Sequence, residues 1–154
     1  MPDLPPHIRL IGPKEKVNTY DLMELSSLGL VYTTTAGLEM ALSSIPVIVA
    51  GRTHYRSRGF TIDVNTWEEY FQRIQEVIQT PALQRLSAGQ AELAWRYAYL
   101  FFFVYTLPFP WKLVGFMNCL EKWPLEKVLG PEGHSRFGKA FRYLAGEPID
   151  WTSI

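Results

Sequence analysis

The sequence is poor in cysteine and has no excess of charge of either sign. Cys119 is its only cysteine, so a disulfide within the chain and a cysteine-based metal cluster are both excluded. The 15 lysines and arginines balance 15 aspartates and glutamates, which gives a formal net charge of zero. Domains that bind nucleic acid usually carry a basic surface, and we therefore predict no nucleic-acid partner. A lone thiol favours a reducing compartment, so we expect a cytoplasmic location.

The sequence also has no hydrophobic run long enough to span a bilayer. Its most apolar stretch, Ala98–Pro110, is shorter than the roughly 20 residues that a membrane-spanning helix needs. The proline-rich start, Met1–Pro6, lacks the basic and apolar regions of a secretory signal peptide. The carboxylates and the histidine of the C-terminal region are spaced too irregularly to ligate a metal ion, and we predict no metal site.

The apolar content is sufficient for one folded domain. Hydrophobic residues make up 47% of the 154 positions and charged residues 19%, which allows a substantial core. The stretch Leu28–Gly51 predicts a strand over Leu28–Tyr32, a threonine-rich turn, a short helix and a second strand over Pro46–Ala50. Two apolar strands joined by one helix form a βαβ unit, in which the strands are parallel.

Shorter patterns on both sides extend this unit. Ile8–Ile11, followed by a Gly-Pro pair, predicts a further strand of the sheet, and Thr61–Val64 predicts an edge strand. A helix is expected near Tyr20–Ser27, capped by Asn18 or Thr19. The predicted fold class is α/β: a Rossmann-like, three-layer half-domain with a short, largely parallel sheet of three or four strands, followed by aromatic-rich helices.

A second helix is predicted directly after the edge strand. Asn65 as cap and Glu68 in its first turn resemble a capping box. Apolar side chains at helical spacing predict one face that packs on the sheet. These side chains are Trp67, Tyr70, Phe71, Ile74, Val77 and Ile78.

The C-terminal third is predicted to be helical. The pattern favours one long, aromatic-rich helix over Ala82–Leu107, then a helix over Leu113–Leu120. A stretch rich in proline and glycine, Trp123–Gly133, separates these from a last helix over Ser135–Leu144. We treat residues 1–107 as the α/β region and residues 108–154 as a helical extension packed on the same domain.

The turn after the first predicted strand has the residue types of an anion site. Thr33, Thr34 and Thr35 precede a helix whose first N–H groups lack partners within the helix. Gly37 would let a ligand approach the backbone, and Glu39 could accept hydrogen bonds from ribose hydroxyls. The same residues equally suit a helix start that is merely stabilised, with Gly37 packed on the strand. Both interpretations remain open at this point.

The loop after the second strand is cationic and lies at the same predicted sheet edge. Arg52 and Tyr55 follow the strand end closely and are expected to contact a ligand, since guanidinium groups bind phosphate or carboxylate in pairs of hydrogen bonds. His54 could transfer a proton or bind phosphate. Arg56 and Arg58 are interpreted as solvated loop residues.

The segment TTTAGLEMALSSIPVIVAGRTHYRSRGFT resembles the donor-binding half of glycosyltransferases that make bacterial capsule and surface polysaccharides. In that family, a small hydroxyl-rich turn leads to Gly-Leu-Glu on a helix. A strand that begins with proline, a Gly-x-x-x-Tyr loop and a Gly-Phe-Thr segment follow. The matching positions are Thr34, Thr35, Gly37, Leu38, Glu39, Pro46, Gly51, Tyr55, Gly59 and Thr61.

This resemblance implies a GT-B architecture and a nucleotide-sugar donor, with CMP-activated keto-sugars among the candidates, and no separate cofactor. The acceptor glycan would be bound by a partner domain or chain, because the family's His-Pro segment and acceptor-binding domain have no counterpart here. The catalytic residues are therefore not assigned. The predicted donor-binding residues are Thr33, Thr34, Thr35, Gly37, Glu39, Gly51, Arg52 and Tyr55, with Gly12 and His54 as further candidates.

Two other functions fit the sequence. The chain could be a truncated, non-catalytic interaction module that docks through its aromatic helix, either as a homodimer or at the surface of the inner membrane. It could also be part of a sugar-nucleotide epimerase, which shares the donor-domain architecture and would equally need a second domain.

Overall fold

The structure is a computed structural model, and it describes residues 4–114 and 119–151. The chain divides into two units, Met1–Ala98 and Tyr99–Ile154. The first unit contains a parallel sheet and the second an antiparallel hairpin with two helices. The protein is therefore mixed α/β, as predicted, with a small open sheet and several helices.

The sheet of the first unit has three parallel strands in the order β1-β2-β3. These are β1 (Gly29–Val31), β2 (Val47–Val49) and β3 (Ile62–Asp63). Helix α2 (Ala36–Leu42) connects β1 to β2, which confirms the predicted βαβ arrangement of Leu28–Gly51. No helix intervenes between β2 and β3, whose connection is an irregular loop.

The N-terminal strand prediction is wrong. Residues 8–11 form no strand, and Ile8 and Leu10 are exposed. The segment has only four residues, one of them charged, before the Gly-Pro pair. Its apolar surface is too small to hold it on the sheet without hydrogen bonds to a neighbouring strand. Helix α1 (Thr19–Glu24) does form, and the Asn18 side chain caps it by accepting a hydrogen bond from Tyr20 N.

The core of the first unit surrounds β2. All three residues of this strand are fully buried, as expected for the central strand of a parallel sheet. Helix α2 contributes Leu38 and Ala41, and helix α4 (Ala88–Tyr99) contributes Ala94 and Ala98. The small side chains of Ala94 and Ala98 allow α4 to pack closely against this core. The β2–β3 loop supplies two further members of the core, Tyr55 and Phe60.

Helix α3 (Trp67–Gln79) follows β3, but its cap and its buried face differ from prediction. Thr66, rather than Asn65, is the N-cap and accepts a hydrogen bond from Glu69 N. Val77 is buried, whereas Trp67, Phe71 and Ile78 of the predicted core face are exposed. Because β3 is only two residues long, the sheet offers too little surface to cover the whole apolar face.

The predicted helix Ala82–Leu107 is divided into three parts. A 3₁₀ turn (Pro81–Leu83) precedes α4, and a π-helical segment (Leu100–Val104) follows it. Ser87 starts α4 through a reciprocal capping box, in which Ser87 N donates to Gln90 Oε1 and Gln90 N donates to Ser87 Oγ. This cap explains why the helix begins later than predicted.

The second unit contains β4 (Trp111–Val114) paired antiparallel with β5 (Cys119–Lys122). The predicted helix Leu113–Leu120 is therefore wrong at both ends, and its middle lies outside the described residues. Helix α5 (Leu125–Leu129) and helix α6 (Pro131–Leu144) follow. Across residues 4–114 and 119–151, no helix is both long and apolar enough to cross a bilayer.

Candidate functional site

The carboxyl ends of the three parallel strands meet at one edge of the sheet. Backbone pairing continues just beyond the strands, since Gly51 N donates to the Tyr32 carbonyl at 3.1 Å and Val64 N to the Val49 carbonyl at 3.3 Å. An open cavity of about 430 Å³ lies at this edge. It is lined by Tyr32, Thr33, Ala50, Gly51, Arg52, Arg56, Val64 and Asn65.

Gly51 is required by the close approach of the first two strand ends. A side chain at this position would collide with the Tyr32 carbonyl oxygen and would also press on the Tyr32 ring and on Thr33. The absence of a side chain therefore allows the residues that follow β1 to pack against those that follow β2.

Arg56 ties the strand ends together. Its Nη1 donates to the carbonyl oxygens of Val49 and Gly51 at 2.9 and 3.0 Å. Its Nη2 donates to the Val64 carbonyl at 2.7 Å and to Asn65 Oδ1 at 2.9 Å. The guanidinium group thus satisfies carbonyl groups at the ends of both β2 and β3, and it fixes the side chain of Asn65.

The rest of the β2–β3 loop is held by Asp63. Its two carboxylate oxygens accept hydrogen bonds from Ser57 N at 2.7 Å and from Thr61 Oγ1 at 2.8 Å. Ser57 has a φ of 60°, a left-handed backbone conformation that residues other than glycine rarely adopt. These contacts give the loop a defined path without a helix.

Arg52 differs from Arg56 because it is exposed and forms no hydrogen bond or ion pair with any residue that the structure describes. No carboxylate is among the residues found to line the cavity. Arg52 therefore presents an uncompensated positive charge at the sheet edge, where an anionic group could bind it in bidentate fashion.

A second cavity, of about 250 Å³, adjoins the first. The two share Tyr32, Ala50, Val64 and Asn65. The second is additionally lined by the first turn of α3, with Thr66, Trp67 and Tyr70. The helical periodicity predicts that Trp67 and Tyr70 pack on the sheet, and it does not indicate a site. These residues nevertheless follow a predicted strand end, so the rule of converging carboxyl ends applies to them.

The start of α2 is closed rather than open. Thr34 Oγ1 accepts from Ala36 N at 3.2 Å, and the Thr35 carbonyl accepts from the backbone of Leu38 and Glu39. The exposed Thr35 side chain forms no capping hydrogen bond. The helix has only seven residues. Its first turn therefore already has partners for several N–H groups.

Gly37 packs against Tyr55 instead of facing a ligand. Tyr55 is fully buried, and its hydroxyl donates to the Thr34 carbonyl at 2.5 Å. A side chain at Gly37 would overlap the Tyr55 hydroxyl and press on Val31. Burial raises the pKa of Tyr55, so the phenol stays neutral. Tyr55 and Gly37 thus form a tight contact between the loop and α2.

Glu39 interacts with helix α1. A hydrogen bond from the exposed Tyr20 hydroxyl to Glu39, together with the charge of the carboxylate, raises the pKa of Tyr20. Glu39 is half-buried and does not line either of the two cavities at the sheet edge.

His54 interacts with helix α4. Tyr97 Oη donates to the His54 carbonyl at 2.7 Å and lies 2.8 Å from His54 Nδ1, so Nδ1 carries the proton that it donates to Tyr97. The two rings are stacked, with centroids 5.9 Å apart. Burial lowers the pKa of His54. These contacts anchor the loop to α4.

The structure thus brings three of the predicted site residues together. Thr33, Gly51 and Arg52 line one cavity, whereas Thr34 and Thr35 follow Thr33 in the chain, at the start of α2, and are not among the residues found to line it. The remaining candidates lie elsewhere: Gly37, Glu39, Tyr55 and His54 in the packing described above, and Gly12 in a turn where its N–H donates to Glu15 Oε1.

Comparison with known proteins adds no assignment. No protein-family model matches the chain, and neither the curated proteins nor the solved structures include one with significant similarity to it.

Proposed function

We propose that this chain is the donor-binding part of a glycosyltransferase of capsule or surface-polysaccharide biosynthesis, with a Rossmann-like sheet in a GT-B arrangement. Its ligand is a nucleotide-sugar, and CMP-activated keto-sugars are among the candidates. The proposal unites the resemblance of residues 33–61 with the position of the cavity, because parallel α/β sheets bind ligands beyond the carboxyl ends of their strands.

The observation that carries the proposal is Arg52, which lies at this edge without a partner among the described residues. The cavity contains two arginines and, among the described lining residues, no carboxylate. Arg56 uses its donors on the strand-end carbonyls, which leaves Arg52 to bind the donor phosphate. The hydroxyl of the exposed Thr33 supplies a neutral hydrogen-bonding group in the same cavity.

Transfer of the sugar needs groups that this site does not supply. Arg52 would stabilise the negative charge that develops on the leaving phosphate. The base that activates the acceptor hydroxyl, and the surface that binds the glycan, would come from a partner domain or chain. The chain alone is therefore expected to bind donor nucleotide without transferring sugar.

Isothermal titration of the purified chain with CMP, UDP and GDP tests the proposal. We expect one nucleotide to bind and Arg52→Gln to weaken its binding about tenfold. Arg85→Gln is the matched control, because Arg85 is an exposed arginine that lines a different cavity. The Arg85→Gln variant should bind the nucleotide with the same affinity as the unmodified chain. Equal affinities for Arg52→Gln and the unmodified chain would show that Arg52 does not bind the phosphate.

A second candidate function is an interaction module that binds a further copy of the chain. It is favoured by the exposure of Tyr99 and Phe103, whose rings stack with centroids 5.8 Å apart, at the end of α4 and in the π-helical segment. Sedimentation of the chain and of Phe103→Ser tests it: a dimer that the substitution dissociates would support self-association, and a monomer at all concentrations would contradict it.

A further inference from the structure

We propose that the smaller cavity beside Trp67 binds a pyrimidine base, stacked on aromatic side chains, of the nucleotide whose phosphate lies at Arg52. The inference rests on the proposed function, because it extends the same ligand from the phosphate position into the adjoining cavity. It adds a base subsite formed mainly by residues that follow β1 and β3 and by the first turn of α3, which the resemblance did not include.

Two exposed aromatic side chains flank this cavity from different strand ends. Tyr32 follows β1 and is 71% exposed, and Trp67 begins α3 after β3 and is 73% exposed. Tyr70 adds a third ring, in edge contact with Trp67 at a centroid distance of 6.0 Å. Aromatic faces left open beside a cavity are the usual platform on which bases stack.

The volume of the cavity suits a nucleobase. At about 250 Å³ it lies below the roughly 300–1,000 Å³ typical of pockets for drug-sized ligands. A nucleobase therefore fits within it, and the hydrogen-bonding groups at the cavity, rather than its volume, select the base. The four lining residues shared with the larger cavity make the two continuous, so that one ligand can reach both.

The polar groups at the cavity are hydrogen-bond donors. Asn65 Oδ1 accepts from Arg56 Nη2, which fixes the amide orientation and leaves the Nδ2 hydrogens for a ligand. Thr66 Oγ1 accepts from Glu69 N, which leaves its hydroxyl hydrogen to be donated. Donors at this edge match the acceptors O2 and N3 that cytosine presents side by side, and match uracil less well because its N3 carries a proton.

Two probes separate the base subsite from the phosphate site. Cytidine has the base without phosphate, and inorganic pyrophosphate has phosphate without a base. We expect NMR titration of the full chain to show that Trp67→Leu weakens cytidine binding about tenfold and leaves pyrophosphate binding unchanged. Arg52→Gln should do the reverse. Trp95→Leu, which removes an exposed tryptophan from α4, is the control and should change neither.

The outcomes distinguish the two claims. Cytidine that binds the unmodified chain and Trp67→Leu equally, or that fails to bind while pyrophosphate binds, overturns the base subsite and leaves the proposed function standing. Pyrophosphate that fails to bind, or that binds Arg52→Gln as well as the unmodified chain, overturns the proposed phosphate site. Tighter binding of uridine than of cytidine would contradict the assignment of the donors on Asn65 and Thr66.

Discussion

Arg52 and Arg56 belong to the same loop, yet their side chains have opposite surroundings. Arg56 is half-buried and donates to three backbone carbonyls and one amide oxygen. Its hydrogen-bond donors therefore hold the strand ends. Arg52 is exposed beside the same cavity. The ligand contact predicted for Arg52 stays a prediction. The solvated interpretation of Arg56 is wrong, because a contact with distant carbonyls leaves no local pattern in the sequence.

Replacing Arg56 should destabilise the first unit. Arg56→Gln removes charge-assisted hydrogen bonds to carbonyl groups at the ends of β2 and β3, and we expect a loss of about 3 kcal/mol in the free energy of unfolding. Urea denaturation measures this loss. Arg58→Gln is the control in the same loop, because the interaction found for Arg58 within the described part of the chain is with the Tyr97 ring. This variant should change the free energy of unfolding by less than about 1 kcal/mol. Similar losses for both variants would contradict the conclusion that Arg56 holds the ends of β2 and β3 together.

The contact between Gly37 and Tyr55 predicts a non-additive pair of substitutions. Gly37→Ala should cost about 2 kcal/mol, because the new methyl group displaces the Tyr55 hydroxyl. Tyr55→Phe removes that hydroxyl, so the double variant should be more stable than the sum of the single losses indicates. A double-mutant cycle by urea denaturation measures the coupling. Additive losses would show that the hydroxyl does not occupy the space above Gly37.

His54 predicts how stability depends on pH. Burial lowers its pKa in the folded chain, so the unfolded chain binds the proton more readily. The free energy of unfolding should therefore fall as the pH drops below about 6.5 towards the lowered value. Replacing His54 by Asn should reduce that fall. An NMR titration whose His54 midpoint lies at or above that of a model peptide would contradict the prediction.

Helix α3 illustrates what a pattern can predict for an element and what it cannot. Its existence follows from polar and apolar periodicity, whereas its exposed rings depend on the shortness of β3. The cap is displaced by one residue from the predicted position: Glu69 N donates to the cap Thr66, whereas the Glu69 carboxylate accepts from Asn65 N at 2.9 Å. Both Asn65 and Thr66 are good caps, so sequence alone could not choose between them.

The position of the cap can be tested by two substitutions. Thr66→Ala should cost about 1 kcal/mol in the free energy of unfolding, because Glu69 N loses its acceptor. Asn65→Ala removes the partner of Arg56 but leaves the cap intact. Amide hydrogen exchange measured by NMR should therefore be faster at Glu69 N–H in Thr66→Ala than in Asn65→Ala. The opposite order would place the cap at Asn65.

For the whole molecule, the sequence predicts the parts in which local pattern and burial agree. The pairing of β1 with β2 follows from two apolar runs around a short helix. Ile8–Ile11 also has strand-like composition, but it has no neighbouring ladder, and this is a tertiary property. The hairpin of β4 and β5 was mistaken for a helix because short apolar runs are ambiguous in period. The cavities depend on where distant residues meet, which periodicity does not report.

The most direct test of the central claim is the location of bound CMP on the isotope-labelled full chain, measured by NMR chemical-shift mapping. The account predicts that the amides of Thr33, Gly51, Arg52 and Asn65 shift on titration. It also predicts that residues lining the cavity at the other end of the sheet, such as Arg73 and Arg85, do not. Shifts confined to that other cavity, or none at saturating CMP, would contradict a nucleotide site at the carboxyl edge.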